Sequence, residues 1–202
     1  INYASAQHGN GFYTTVNGRL KCADLTTMDA DVGACEFWIE LRHINPLSAL
    51  GYWWNILDIN APSGGRGPAL NFHVFGNTIR LVGVSNAYPA GGTFVQTSIG
   101  TAWDNQIGRK IHCAILWDTA GGLGGGENKM ALKIDNVYQA MSVISGRSNS
   151  WVFPPYTTIE SPNPVILGRH PTVTTLIMDR VIFDNIKMWD YAKTDYSDRF
   201  VE

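Results

Sequence analysis

In the stretch from Glu36 to Arg42, Trp38, Glu40 and Arg42 stand two residues apart. In an extended chain such residues share one side. An indole beside a carboxylate and a guanidinium suits a pyranose, whose ring face stacks on the indole while its hydroxyls meet the charged groups. His112, inside the run from Lys110 to Asp118, is a further candidate for the same surface. Trp151 and Tyr156 bracket Pro154-Pro155 in a loop, where aromatics make stacking platforms for sugars or anchors for a protein partner. Each feature has a plainer alternative. Glu40 and Arg42 also fit a neighbour pair on a solvated or partly filled groove, and the loop aromatics also fit plugs at the ends of a core.

Asp184 is the candidate of a different kind. Counted by two from Ile186 and Met188, it falls on their inward side if the strand is regular. A carboxylate turned toward a core needs a cation or several hydrogen bonds, since an unpaired buried charge is costly. Asp118 and Asp135 are read as residues that start turns. Cys22, Cys35 and Cys113 are read as small buried hydrophobes, with a Cys22–Cys35 bridge as the alternative. The Gly121–Gly126 tract lacks the Lys-Ser/Thr of a phosphate loop and leads into a strand, so it is read as a mobile hairpin tip.

The elements that must carry these residues are short and alternate with period two. Phe37, Ile39 and Leu41 form the apolar side of a strand whose other side bears Glu36, Trp38, Glu40 and Arg42. Ile111, Cys113, Ile115 and Trp117 share one side of another strand, with His112, Ala114 and Leu116 opposite. Further strands are predicted over 52–59, 69–75, 78–84, 130–135, 165–168 and 180–189, with one helical turn near 194–200. Gly76-Asn77 can supply the positive φ of a tight hairpin. No long segment of 3.6 period is present, and glycines and prolines punctuate the whole length. The pattern is all-β.

At 202 residues with 45% hydrophobic content, the chain can bury one sizeable core, so residues 1–202 are read as a single domain. A net charge of −2 without a dense Lys/Arg block excludes nucleic acid as the natural partner, and no apolar run is long enough for membrane insertion. The start at Ile1 reads as a processed or excised piece.

Several segments, in order, resemble the laminin-G-like, concanavalin-A-like jelly-roll family across nearly the whole chain. They are residues 8–18, Phe37–Leu41, Ile111–Asp118, Leu132–Asn136, Val165–Arg169 and Phe183–Ala192. Asn136 stands where the family has a turn glycine, and Ile111 where it has a Trp. The resemblance implies a two-sheet antiparallel jelly-roll β-sandwich with the chain ends in adjacent strands. It also implies a structural Ca²⁺ tying the last strand to the first, held by Asp184 with carbonyls near Asn10 or Asn17; capping of backbone amides by Asp184 is the equal alternative.

A fold does not carry its function with it. The leading expectation is an extracellular, non-enzymatic recognition or assembly module that binds a glycan or protein surface at a cell surface or appendage. A structural virion or fibre component, assembled as a homo-oligomer, is the second. The third is a polysaccharide lyase, because Glu40-Leu41-Arg42 with Ile111-His112 is faintly similar to alginate-lyase motifs. Trp38, Ile39 and Lys110 all depart from those motifs, and the paired acids of laminarinase-type hydrolases are interrupted by Trp38.

Overall fold

A computed structural model describes the backbone of residues 2–5, 10–13, 20–22, 31–41, 53–59, 69–75, 78–84, 95–98, 108–124, 129–140, 142–143, 165–167 and 181–200. Side chains are described for 31–40, 81, 108–124, 129–140 and 182–200. The strands are β1 (Asn2–Ser5), β2 (Asn10–Tyr13), β3 (Leu20–Cys22), β4 (Val32–Leu41), β5 (Trp53–Ile59), β6 (Ala69–Phe75) and β7 (Thr78–Val84). They continue as β8 (Val95–Ser98), β9 (Lys110–Asp118), β10 (Met130–Ile134), β11 (Val137–Tyr138), β12 (Ser142–Val143), β13 (Val165–Leu167) and β14 (Val181–Trp189). The short β1, β3, β8, β11 and β12 were not announced by alternation. Among the described residues no helix is long and apolar enough to cross a membrane.

The strands form two antiparallel sheets, ordered β1-β2-β14-β4-β9-β10-β11 and β12-β8-β7-β6-β5-β13-β3. The last strand pairs with β2 through Phe183 and Phe12, so the two ends of the chain meet in neighbouring strands. Phe75 lies opposite Thr78, so β6 and β7 pair antiparallel; Gly76-Asn77 between them lies outside the described residues.

Register settles which residues share a face. In the first sheet Phe37 lies opposite Cys113, and Cys35 opposite Ile115. With Phe183, whose ring is 6.4 Å from that of Phe37, they form a dry apolar layer. On the other face Trp38 lies opposite His112, and Glu36 opposite Ala114. Cys35 and Cys113 are buried thiols outside any disulfide, so the Cys22–Cys35 bridge is not made. Burial pushes the Cys113 thiol up, with Asp135 and Cys35 adding to it, which leaves it protonated and inert.

On β9, Ile111 to Trp117 are buried on both faces, a coverage that alternation alone does not announce. One expectation needs correction. The glycine tract is a folded turn as far as Gly124: Gly121 and Gly122 take positive φ, and Leu123 between them and Gly124 is buried in a core cluster with Ala34, Ala114, Leu116, Ala131 and Tyr196. Residues 125–128 lie outside the described ones.

The turn from β10 to β11 uses Asp135 (φ 50°) and Asn136 (φ 68°), as the tolerance of Asn for the left-handed region allows. Asn136 has a second role that composition did not announce. Its Oδ1 accepts from Tyr196 N at 3.2 Å, and its Nδ2 donates to Asp195 Oδ1 at 3.4 Å. Asn136→Ala loses both the tolerance and the bonds and is expected to cost about 2 kcal/mol, whereas Asn136→Gly, which loses only the bonds, costs about 1 kcal/mol or less. Urea unfolding of the two variants checks the order.

Candidate functional site

The candidate face is the polar side of β4 and β9. Alternation places Ala34, Glu36, Trp38 and Glu40 on it from β4, and register adds His112 from β9 and Lys133 from β10. From β14 it receives Asp184 opposite Trp38 and Lys187 opposite Glu36. Here two residues of β14, Asn185 and Ile186, stand against the single Phe37 of β4, a bulge in which Asn185 takes φ 46°. The strand is therefore not regular. Met188 pairs with Cys35 on the opposite face, so Asp184 shares the face of Trp38 rather than that of Met188. Among the described residues no group of three metal-ligating side chains gathers around it, and Asn17 lies outside them.

A segment without regular structure covers this face. After Trp189 the chain reverses, with Lys193 N donating to Tyr191 O at 2.8 Å, and residues 190–200 run back over the sheet as a strap. The expected helical turn near 194–200 is instead a single turn in which Arg199 N donates to Tyr196 O at 3.2 Å. Apolar contact begins with Ala192 and Tyr196 on the Ala34–Leu116 cluster. Burying Tyr196 there is worth about 2–3 kcal/mol. Further along, the Tyr196 ring lies 5.4 Å from His112, and the Phe200 ring 5.3 Å from Trp38.

Polar contacts follow the same line. Lys193 Nζ reaches Glu36 Oε1 at 3.5 Å and Asp198 Oδ1 at 3.1 Å, over the rings of Trp189 (4.3 Å) and Tyr196 (5.0 Å). Lys133 Nζ donates to Thr194 O and lies over the rings of Tyr138 and Tyr196. Trp38 Nε1 donates to Arg199 O at 3.3 Å. His112 Nε2 sits 3.3 Å from Glu36 Oε2, a close electrostatic contact whose alignment is not that of a regular hydrogen bond. Below it, Asp135 Oδ1 accepts from His112 N at 3.2 Å and Oδ2 from Arg109 Nη2, tying the end of β10 to β9.

Burial sets the electrostatics. At Glu36 desolvation raises the carboxyl, but His112, Lys193 and Lys187 together outweigh it and hold it below its usual 4.5. A carboxylate whose folded value lies below its unfolded one stabilises the fold above the unfolded value, and that contribution disappears as pH falls through the folded value. Wild-type stability is therefore expected to fall more steeply than that of Glu36→Gln between about pH 5 and pH 3, measured as urea midpoints. Parallel curves would refute the assignment. At Tyr196 burial, followed by the Glu36 charge, pushes the phenol far up, so it acts only as a neutral hydroxyl. Lys133 is lowered by burial, with Asp195 opposing.

The structure thus brings Trp38 and His112 together, rings 5.2 Å apart and edge-on, with Asp184 beside them. Trp38 is 4% exposed and His112 1%, so this part of the expected ligand face lies under the strap. Glu40 is half-buried at its margin. Arg42, Trp151 and Tyr156 lie outside the described residues. Sequence reasoning missed Lys133, Lys193 and Tyr196 as members of the cluster. A lysine between Leu132 and Ile134 was a usable signal; Lys193 and Tyr196 sit in a segment with no period to place them.

No protein-family model and no curated protein matches this chain. Solved structures do share its fold. The receptor-binding domain of botulinum neurotoxin type G aligns with 98% of this chain at a TM-score of 0.61 and 13% identity, and the chain spans 43% of that domain. The CBM40 of the Ruminococcus gnavus IT-sialidase, solved with α2,3-sialyllactose, aligns over 91% of both chains at 0.57 and 11% identity. The NanB sialidase of Streptococcus pneumoniae aligns with 95% of this chain at 0.59 and 8% identity, over 27% of its own length. At such identities the likeness is one of fold: an all-β architecture of the β-sandwich kind.

Proposed function

We propose that this chain is a non-catalytic carbohydrate-recognition module of the laminin-G-like, concanavalin-A-like jelly-roll type, acting outside the cell. The observation that carries the reading is the end-to-end correspondence, over 91% of both chains, with a module solved bound to sialyllactose. The glycan surface is the β4–β9 face at Trp38, Glu40 and His112; Arg42, Trp151 and Tyr156, outside the described residues, are the sequence candidates that would extend it. An indole set among carboxylate, imidazole and ammonium groups is the chemistry such a surface uses.

Absence of catalysis is part of the proposal. A lyase acting through Arg42, Glu40 and His112 needs a base within hydrogen-bond reach of a polymer. His112 is instead enclosed by Trp38, Tyr196 and Glu36, which favours a binding role over a proton-transfer one. A glycan array probed at physiological calcium tests the reading. Binding to at least one glycan class is expected, weakened about 10-fold or more by Glu40→Ala or Arg42→Ala, the loss of one or two polar contacts to the sugar. A silent array would end it.

A further inference from the structure

We infer that the strap of residues 190–200 is a built-in occupant of the carbohydrate face, and that a pyranose oligosaccharide takes its place when the strap lifts. This rests on the proposed function above and concerns the regulation of that site.

Each group the strap satisfies is one a sugar can satisfy. Two donors of the sheet, Trp38 Nε1 and Lys133 Nζ, are met by the strap carbonyls of Arg199 and Thr194. Hydroxyl or ring oxygens of a sugar are acceptors of the same kind. The acceptor Glu36 is met by the Lys193 ammonium, where a sugar hydroxyl would donate. The indole of Trp38 is covered by Phe200, where the C–H face of a pyranose would stack. The strap therefore reproduces, from within the chain, the donor, acceptor and stacking pattern of a bound sugar.

Its attachment is also of a kind that can open. Among the described residues no ladder joins the strap to β4 or β9; its backbone bonds are the local ones of its own two turns. It is held by side chains: the Tyr196 ring on the Ala34–Leu116 cluster, the contacts of Trp38, Lys133 and Glu36, and the Asn136 latch on Tyr196 N and Asp195. Two buried polar atoms within the contact, His112 Nδ1 and Tyr196 Oη, make no hydrogen bond to described residues. A contact that leaves buried polar groups unmatched is weaker than its area suggests, and such segments open locally while the core stays closed. An occupied face lowers apparent ligand affinity by the fraction of time that it is open, a cost that loosening removes.

The test uses the full chain and a double variant, Asn136→Gly with Phe200→Ala. The first keeps the left-handed turn and drops the latch; the second uncovers Trp38, and neither residue belongs to the floor of the site. Hydrogen exchange reports residues 192–200 against β9, and calorimetry reports binding of cellohexaose, xylohexaose and 3′-sialyllactose. The variant is expected to exchange faster in the strap alone and to bind at least one probe about 10-fold more tightly than wild type. Saturating the wild type with that probe is expected to accelerate strap exchange. Unchanged strap exchange in the variant, or a freed strap with unchanged affinity, overturns the inference; wild-type binding then leaves the proposed function standing. A freed strap with no binding of any probe by either protein overturns both.

Discussion

Gly33→Ala is expected to destabilise the chain by about 3 kcal/mol, the upper part of the range for forcing extra volume into a packed interior. Gly33 lies directly across the ladder from Trp117, whose indole folds over it. A Cβ at Gly33 would stand 2.7 Å from Trp117 Cε2 and 3.0 Å from Cη2, closer than real side chains approach. Trp117 is fully buried and cannot swing into solvent, so either the indole leaves its rotamer or the β4–β9 ladder opens. Urea unfolding measures the loss. Trp117→Leu alone leaves a cavity and is itself expected to cost about 3 kcal/mol, yet with Gly33→Ala the two costs should fall well short of their sum, because the smaller side chain makes room for the new methyl. A Gly33→Ala midpoint like that of wild type would refute the packing described for this pair.

Tyr196→Ala is expected to cost about 3 kcal/mol of strap docking, from lost area and the cavity left on the Ala34–Leu116 cluster. The loss is capped by the free energy with which the strap docks. Exchange protection should therefore vanish across residues 192–200 while β9 and β10 keep theirs. Tyr196→Phe is expected to do the reverse. Its hydroxyl is buried without a hydrogen bond to described residues, so removing it should leave stability unchanged or raise it by about 1 kcal/mol. A Phe variant as damaged as the Ala variant would mean that the hydroxyl, not the ring, holds the strap.

These two sites differ in how far residue order announced them. Trp117 follows Ile111, Cys113 and Ile115 by strict alternation, and that alone assigns it to the apolar side of its strand. The same counting correctly set His112, Ala114 and Leu116 opposite, and the segments 69–75 and 78–84 read as strands do pair antiparallel. At Asp184 the counting failed, because the bulge at Asn185 reverses the parity between Asp184 and Met188. A bulge of this kind has no compositional mark here: Asn185 is an ordinary residue in an alternating run. Leu123 failed for a related reason. A lone leucine among glycines carries no period, yet it is the one side chain in the tract able to fill the space beside Tyr196.

Local order, by itself, determined the longer alternating strands, the two sides of β4 and β9 and the left-handed tolerance of Asn136, because these depend on neighbours two residues apart or on one residue's backbone freedom. Tertiary structure alone decided what lies over the polar side of β4 and β9. Alternation says which side chains point together but not whether water, a ligand or the chain itself meets them. Here residues 190–200 meet them, through contacts such as Trp38 with Arg199 that span 161 positions and that no local pattern encodes.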